Sequence, residues 1–297
     1  VTDVALTRDA LAAFEPQRRR LFGIAYRMLG SASEAEDMVQ ESWLRSQGAD
    51  RASVREPAAF LATTVTRLCL NALSSARARR ELYVGPWLPE PVSTTDDPTL
   101  GAERAEALSL AVLLLMERLT PAERAAYVLR EAFVYSHRGI AAVLETTEAN
   151  ARQLVSRARA HVTAERAAPV EPGPRDRLLG AFLTAAQGGD LAGLEAVLSG
   201  DVLALADGGG RVTAARKSVH GRVRTAGFLV GVLAKFGRGV EAVPIEVNGE
   251  PAVLGVRDGS PVAIWSVEIA PDGIRRALIV LNPDKLARFT AAALSHS

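Results

Sequence analysis

Cysteine, histidine and tyrosine are all scarce in this chain, and each scarcity removes a class of chemistry. The one cysteine, Cys69, excludes an internal disulfide and fits a reducing cytoplasm. His137, His161, His220 and His296 are scattered, and a single thiol cannot complete a tetrahedral site, so neither a metal nor a cofactor is expected. Long apolar runs are missing too. The longest, Ala107 to Met116, is broken by Ser109 and falls far short of the roughly 18 to 20 residues a membrane span needs. Asp3, Arg8, Asp9 and Glu15 interrupt the opening residues, which therefore lack the apolar core of a secretory signal. Net charge is only +1, which argues against a uniformly basic coat. What is present is 297 residues, 48% of them hydrophobic, enough for about two domains with substantial cores.

Positive charge collects locally where carboxylates are absent. Arg67 to Arg80 carries Arg67, Arg77, Arg79 and Arg80; Ala149 to Ala164 carries Arg152, Arg157, Arg159 and His161. Basic helix faces are the electrostatic footprint of phosphate binding, although a solvated face has the same composition.

Composition divides the chain into a helical segment over 1–84, a proline-rich linker over 85–100, a second helical segment over 101–168, a short break over 169–174 and a different domain over 175–297. In the linker, Pro86, Pro89 and Pro91 remove backbone donors and favour an extended path. The last domain has helical patterns over Arg175 to Gln187 and Leu191 to Leu198. Strand-like runs follow at Val202 to Ala206, Val240 to Val247, Ala252 to Arg257, Val262 to Ile269 and Ile274 to Leu281. Asn248-Gly249 and Asp258-Gly259 are hairpin signals.

Tyr135 to Val162 reads as a helix-turn-helix, with Thr147 as N-cap of the second helix. A wheel puts Ala151, Leu154, Val155, Ala158 and Val162 inward and Ala149, Gln153, Ser156 and Ala160 outward, flanked by Asn150, Arg152 and Arg157. Arg and Gln can form paired hydrogen bonds to guanine or adenine edges, and small neighbours permit close approach. Over Phe60 to Arg80 the same reasoning places Leu61, Val65, Leu68, Cys69, Ala72 and Ala76 inward and Thr63, Arg67, Asn71, Ser74 and Arg77 outward. Before it, Ser33-Glu34-Ala35-Glu36 offers a helix start, and Glu34, Asp37, Gln40, Glu41 and Leu44 share one stripe. That stripe suits docking to a basic protein helix, or simple solvation.

The run from Phe14 to Gly30, followed by Ala35 to Leu44, resembles region 2 of bacterial sigma-70-type initiation factors of the extracytoplasmic-function (ECF) group. Leu119-Thr120-Pro121-Ala122-Glu123-Arg124 through Arg159 resembles their region 4. Three motifs are similar to marks of the subgroup carrying a SnoaL-like, NTF2-like C-terminal domain. They are Trp87-Leu88-Pro89-Glu90-Pro91, Asp207-Gly208-Gly209-Gly210-Arg211 and Asn282-Pro283-Asp284-Lys285-Leu286. Arg211 departs from the lysine expected in the glycine motif.

The resemblance implies two all-α domains, a region 2 bundle and a region 4 helix-turn-helix, followed by an α+β NTF2-like cone. It implies core RNA polymerase as partner, through its β′ clamp helices and β flap, with Asp37, Gln40, Glu41 and Leu44 facing it. Promoter DNA would meet Arg67, Asn71, Ser74 and Arg77 at the −10 element and Asn150, Arg152, Gln153, Ser156 and Arg157 at the −35 element. The Ser46 to Glu56 loop is the candidate for trapping flipped −10 bases. A tether from Glu81 to Gly101 reaches about 66 to 70 Å when extended, enough for two DNA-reading modules roughly 50 Å apart.

The last domain leaves three readings: enzyme, ligand sensor and regulatory clamp. Every tyrosine (Tyr26, Tyr83, Tyr127, Tyr135) precedes it, which leaves Asp207, His220, Trp265 and Glu268 as catalytic candidates, a poor inventory for proton transfer. The glycine run reads as a tight turn or a phosphate cradle. The basic stretch Arg211 to Arg238, with Arg216, Lys217, Arg222, Arg224 and Lys235, suits DNA, a ligand anion in the cavity or solvent. The favoured expectation is regulatory: this domain packs on the helical domains and on the Trp87-Leu88-Pro89-Glu90-Pro91 linker, fixing their separation and so promoter competence. The competing one is a polymerase-independent helix-turn-helix regulator with a sensing or catalytic tail.

Overall fold

The computed structural model describes residues 2–48, 56–94, 108–168 and 170–289. The chain divides into two compact units, Val1–Leu82 with Asp96–Ala164, and Tyr83–Thr95 with Glu165–Ser297.

The first unit is all helical. Helices α1 (Thr2–Leu29), α2 (Ala32–Gln47) and α3 (Pro57–Glu81) pack on one another, followed by α4 (Leu110–Met116), α5 (Pro121–Glu131), α6 (His137–Val143) and α7 (Glu148–Glu165). Leu21, Ile24, Met28 and Leu29 of α1 and Leu61, Val65, Leu68 and Cys69 of α3 are buried, and the two helices pack on one another. Burial, with the charge of Glu34 adding to it, pushes the Cys69 thiol well above its ordinary range. The α2 cap is Ser31, which accepts from the Glu34 amide at 3.3 Å, two residues before the start expected at Ser33. Gly30 adopts φ 65° and ends α1 sharply, so the next helix begins at once. In α3, Ala72 is only half-buried and Leu73 takes the buried place instead.

Helix α5 begins with a full capping box between Thr120 and Glu123. Helix α7 buries Ala151, Leu154, Val155, Ala158 and Val162, the face expected from the sequence, and the Asn150 amide donates to Thr147 Oγ1 at 3.2 Å. Helices α1 and α3 both pack against α5, and α3 also packs against α6, so the two helical segments form one body.

The second unit is an α+β domain. Helices α8 (Pro172–Gly188), α9 (Leu191–Val197) and α10 (Arg222–Phe236) lie with a six-stranded sheet of order β2-β1-β6-β5-β4-β3. Its strands are β1 (Leu198–Asp207), β2 (Val219–His220), β3 (Glu241–Val247), β4 (Glu250–Arg257), β5 (Ser260–Ala270) and β6 (Gly273–Val280), followed by α11 (Pro283–Leu286). Only β1 and β6 run parallel, and register shifts in β1, β4 and β5 bend the sheet. Both expected hairpin turns carry two positive φ angles, 56° and 74° at Asn248-Gly249 and 51° and 73° at Asp258-Gly259, which match the strand twist.

The proline-rich segment is not a solvated tether over its described part. Leu88 to Val92 are buried within the second unit. Val92 exchanges hydrogen bonds with Asn248, and Ser93 bridges Val247 beside the sheet edge. Proline supplies the extended backbone, and the edge strand β3 supplies partners for the remaining amides. We refer to Tyr83–Thr94 as the strap.

Candidate functional site

Two sites can be assembled from the residues singled out in the sequence. The first is the meeting point of strap, glycine loop and α11, all within the second unit. Asp207 ends β1 and is wholly buried, so its charge needs partners. Its Oδ1 accepts from Tyr83 Oη at 2.7 Å and the Gly209 amide at 3.0 Å; its Oδ2 accepts from the Leu88 amide at 2.9 Å and Lys285 Nζ at 2.7 Å. Lys285 also donates to the Leu88 carbonyl and lies 4.4 Å from the Trp87 ring centroid, a cation–π position. Asn282 donates to Tyr83 Oη at 2.8 Å and caps α11 through the Asp284 amide. Burial, reinforced by the Asp207 acceptor, pushes the Tyr83 phenol above its ordinary range and keeps it a donor. Arg288 reaches buried Glu90 at 3.1 Å.

The glycines are required by space and by backbone. A Cβ on Gly209 would sit 2.4 Å from Asn282 Nδ2, and one on Gly208 would sit 2.6 Å from the Val212 carbonyl oxygen. Gly209 and Gly210 have φ of 58° and 71°. The Gly209, Arg211 and Val212 amides donate to Asp207 and Gly208 of the same loop, so the run is a turn and not a phosphate cradle. Trp87, Leu88, Glu90, Asp207, the three glycines, Asn282, Asp284 and Lys285 thus come together, with Pro89, Pro91, Pro283 and Leu286 as their chain neighbours. Arg211 pairs with Asp284 at 3.3 Å on the surface.

The second site is the set of exposed faces on the helical unit. Along α2, Asp37 and Gln40 are exposed, Glu41 is half-buried and pairs with Arg45, and Leu44 keeps 53% of its surface. Helix α7 exposes Asn150, Arg152, Gln153, Ser156 and Arg157. Arg152 pairs with Glu148, Asn150 donates to Thr146 Oγ1, and Arg157 reaches Glu123 at 2.8 Å. Burial raises the Glu123 carboxyl pKa, but Arg157 and Thr120 outweigh it and hold the group below its ordinary value.

Helix α3 departs from a free DNA face. Arg67 donates to the Val143 carbonyl at 3.1 Å and the Ala142 carbonyl at 3.3 Å and pairs with Glu145 at 3.1 Å, capping the last turn of α6. Asn71 and Ser74 are exposed beside it, with the Ser74 hydroxyl turned onto the Asn71 carbonyl. The side chain of Arg77, and residues 49–55 of the expected base-trapping loop, lie outside what is described. Sequence reading missed the seam between the helical segments. There Arg80 of α3 and Arg124 of α5 share Glu117, and Arg124 also donates to the Met28 carbonyl at 2.7 Å. It also missed Tyr83 and Arg288 as holders of the strap. The near absence of exposed area at Arg124 was not signalled by its neighbours in sequence.

Of the remaining catalytic candidates, His220 sits exposed with Ser218, and Glu268 is paired with Arg276 and accepts from the Ala167 amide at 3.0 Å. Only Trp265 lines the cavity of the second unit, whose described walls contain no carboxylate, histidine, tyrosine or cysteine.

Residues 13–79 match the family described as Sigma-70 region 2, and residues 109–162 match that described as Sigma-70, region 4. The chain is 36% identical over 299 residues to the ECF RNA polymerase sigma factor SigJ of Mycobacterium tuberculosis, an alignment covering 96% of this chain and 94% of that protein. It is 31% identical over 281 residues to the probable ECF RNA polymerase sigma factor SigI of the same organism, covering 93% of this chain and 94% of that one. The crystal structure of SigJ superposes with a TM-score of 0.76 at 33% identity, over 93% of this chain and 98% of the other.

Proposed function

Since this chain belongs to the ECF family of RNA polymerase sigma factors, we propose that its sheet domain sets promoter competence by holding the strap between regions 2 and 4. The chain binds core RNA polymerase and directs initiation at promoters with −10 and −35 elements, as membership of the family entails. Asp37, Gln40, Glu41 and Leu44 are the polymerase-facing ridge. Arg67, Asn71, Ser74 and Arg77 read the −10 element, and Asn150, Arg152, Gln153, Ser156 and Arg157 the −35 element. The exposure of Asp37, Gln40 and Leu44 on α2 and of the α7 residues supports those assignments. No helix among the described residues is long and apolar enough to cross a membrane, and the reading places the work in the cytoplasm with no chemistry of its own.

The observation that carries the regulatory reading is Asp207, one buried carboxylate binding both the strap and α11. Arg67 and the Glu117 pairs hold regions 2 and 4 together, whereas the two promoter elements lie roughly 50 Å apart. Engagement with both therefore requires that seam to open, and the strap's attachment sets how much chain is available for it. Run-off transcription with core polymerase tests the regulatory role. Trp87→Ala, which removes the nearer of the two rings beside Lys285, should change the yield from a −35-dependent promoter, and an unchanged yield would overturn it.

A further inference from the structure

The cavity of the second unit has a volume of about 700 Å³, within the range that holds a small organic ligand. Its wall is apolar over most of its extent: Phe228 and Leu233 from α10, and Ala263, Trp265 and Ile279 from the sheet. The ionisable residues among the described lining are Arg211 and Arg257, both cationic. Arg211 is already paired with Asp284. Arg257 donates through Nη2 to the carbonyls of Phe236 and Arg238 at the end of α10. A guanidinium carries further N–H donors in a fork that matches a carboxylate. It also neutralises the negative pole of the helix end, which would otherwise repel an anion.

The same cavity shares its wall with the strap site. Arg211 to Ala215 line it, and they continue directly from Gly209 and Gly210, which face Asn282, Tyr83 and Val84. Pro283 and Leu286 line it too, and they alternate with Asn282 and Lys285, which hold the strap. We infer that this cavity binds an apolar molecule bearing one carboxylate, oriented by Arg257, and that its occupancy tightens the strap through the glycine loop and α11. The ligand acts only through its preference for the strap-bound arrangement. This site is independent of the polymerase and promoter assignments. Loss of core-polymerase binding would count against those and leave the cavity test unaffected.

The test uses the full chain with dodecanoate and, as the charge-reversed probe, dodecyltrimethylammonium, each below its micelle concentration. Calorimetry should give one saturable dodecanoate site, at least about tenfold tighter than the cation. Arg257→Gln should abolish that preference, and Ala263→Trp, which fills the wall, should abolish binding. Hydrogen exchange at the Leu88 and Val92 amides should slow on adding dodecanoate. Because Arg257 is only half-buried, its variant keeps the test sound even if Ala263→Trp fails to fold. Absence of a saturable site, equal affinity for both probes, or a preference that survives Arg257→Gln would overturn the assignment of the ligand. Binding without slowed exchange at the strap would overturn the coupling.

Discussion

Replacing Asp207 by Asn changes little in volume and much in electrostatics. Oδ1 can still accept from Tyr83 and Gly209, but an amide NH2 in place of Oδ2 would confront two donors, the Leu88 amide and Lys285 Nζ. Lys285, with 12% of its side chain exposed, would lose its 2.7 Å pair with the Asp207 carboxylate. Removing one partner of a buried pair typically costs about 3 to 5 kcal/mol, most of it from the charge left behind. For a unit of this size each kcal/mol is worth about 2 to 4 °C, so the second unit should melt roughly 6 to 20 °C lower. Trp87 and Trp265 both belong to that unit, so in a Trp43→Phe background their emission reports its unfolding separately from the helical unit. Asp284→Asn is the internal control, because its pair with Arg211 is 66% exposed on each side and such pairs contribute about 0 to 1 kcal/mol. If Asp207→Asn melted alongside Asp284→Asn, the buried carboxylate would not be what fastens the strap.

The seam between regions 2 and 4 makes a second prediction. Arg80→Gln removes a charge-assisted bond to Glu117, worth about 1.5 to 3 kcal/mol, so core polymerase, if it binds only the opened form, should bind roughly ten- to a hundredfold tighter by fluorescence anisotropy. Unchanged affinity would mean that the seam does not oppose assembly. On α7, Gln153→Ala should cost about 1 to 3 kcal/mol and relax preference at one −35 position in a promoter-library run-off, whereas equal loss on every promoter would reject base reading. Burial, with the Glu268 charge adding to it, pushes Glu250 from 4.5 up to about 7. The folded state then binds a proton that the unfolded state has released, so stability falls as pH rises from about 4.5 through about 7. Glu250→Gln should therefore match the parent in urea at about pH 4 and exceed it at about pH 8 by up to about 3 kcal/mol, less in proportion to its residual solvent contact.

Much of the fold was legible because it is local. The inward face of α7 follows from a 3.6-residue period, and both hairpins follow from Asn-Gly and Asp-Gly, the residues that tolerate positive φ. The cap at Ser31 was misplaced because Ser33 offers the same chemistry, and only the left-handed Gly30 decides between them. Long-range polar pairing left no such trace. Asp207 meets Leu88 across 119 positions, and Arg67 meets Val143 across 76. No periodicity encodes either contact. The three motifs pointed to their mutual importance through resemblance alone, and the physical reason, one buried charge with four donors, required the fold. That the last domain packs on the proline-rich strap was expected, but the sheet edge that receives it was not legible, because proline predicts an extended path and not its neighbour.

Cys69 carries a consequence of its own. A thiolate is the form that peroxide attacks, and here the sulfur is sealed from solvent with its proton held tightly. Oxidants that modify exposed thiols will therefore pass this chain by. Cys69 is therefore unsuited to carry an oxidative signal, and the protein should keep working under conditions that silence thiol-gated regulators.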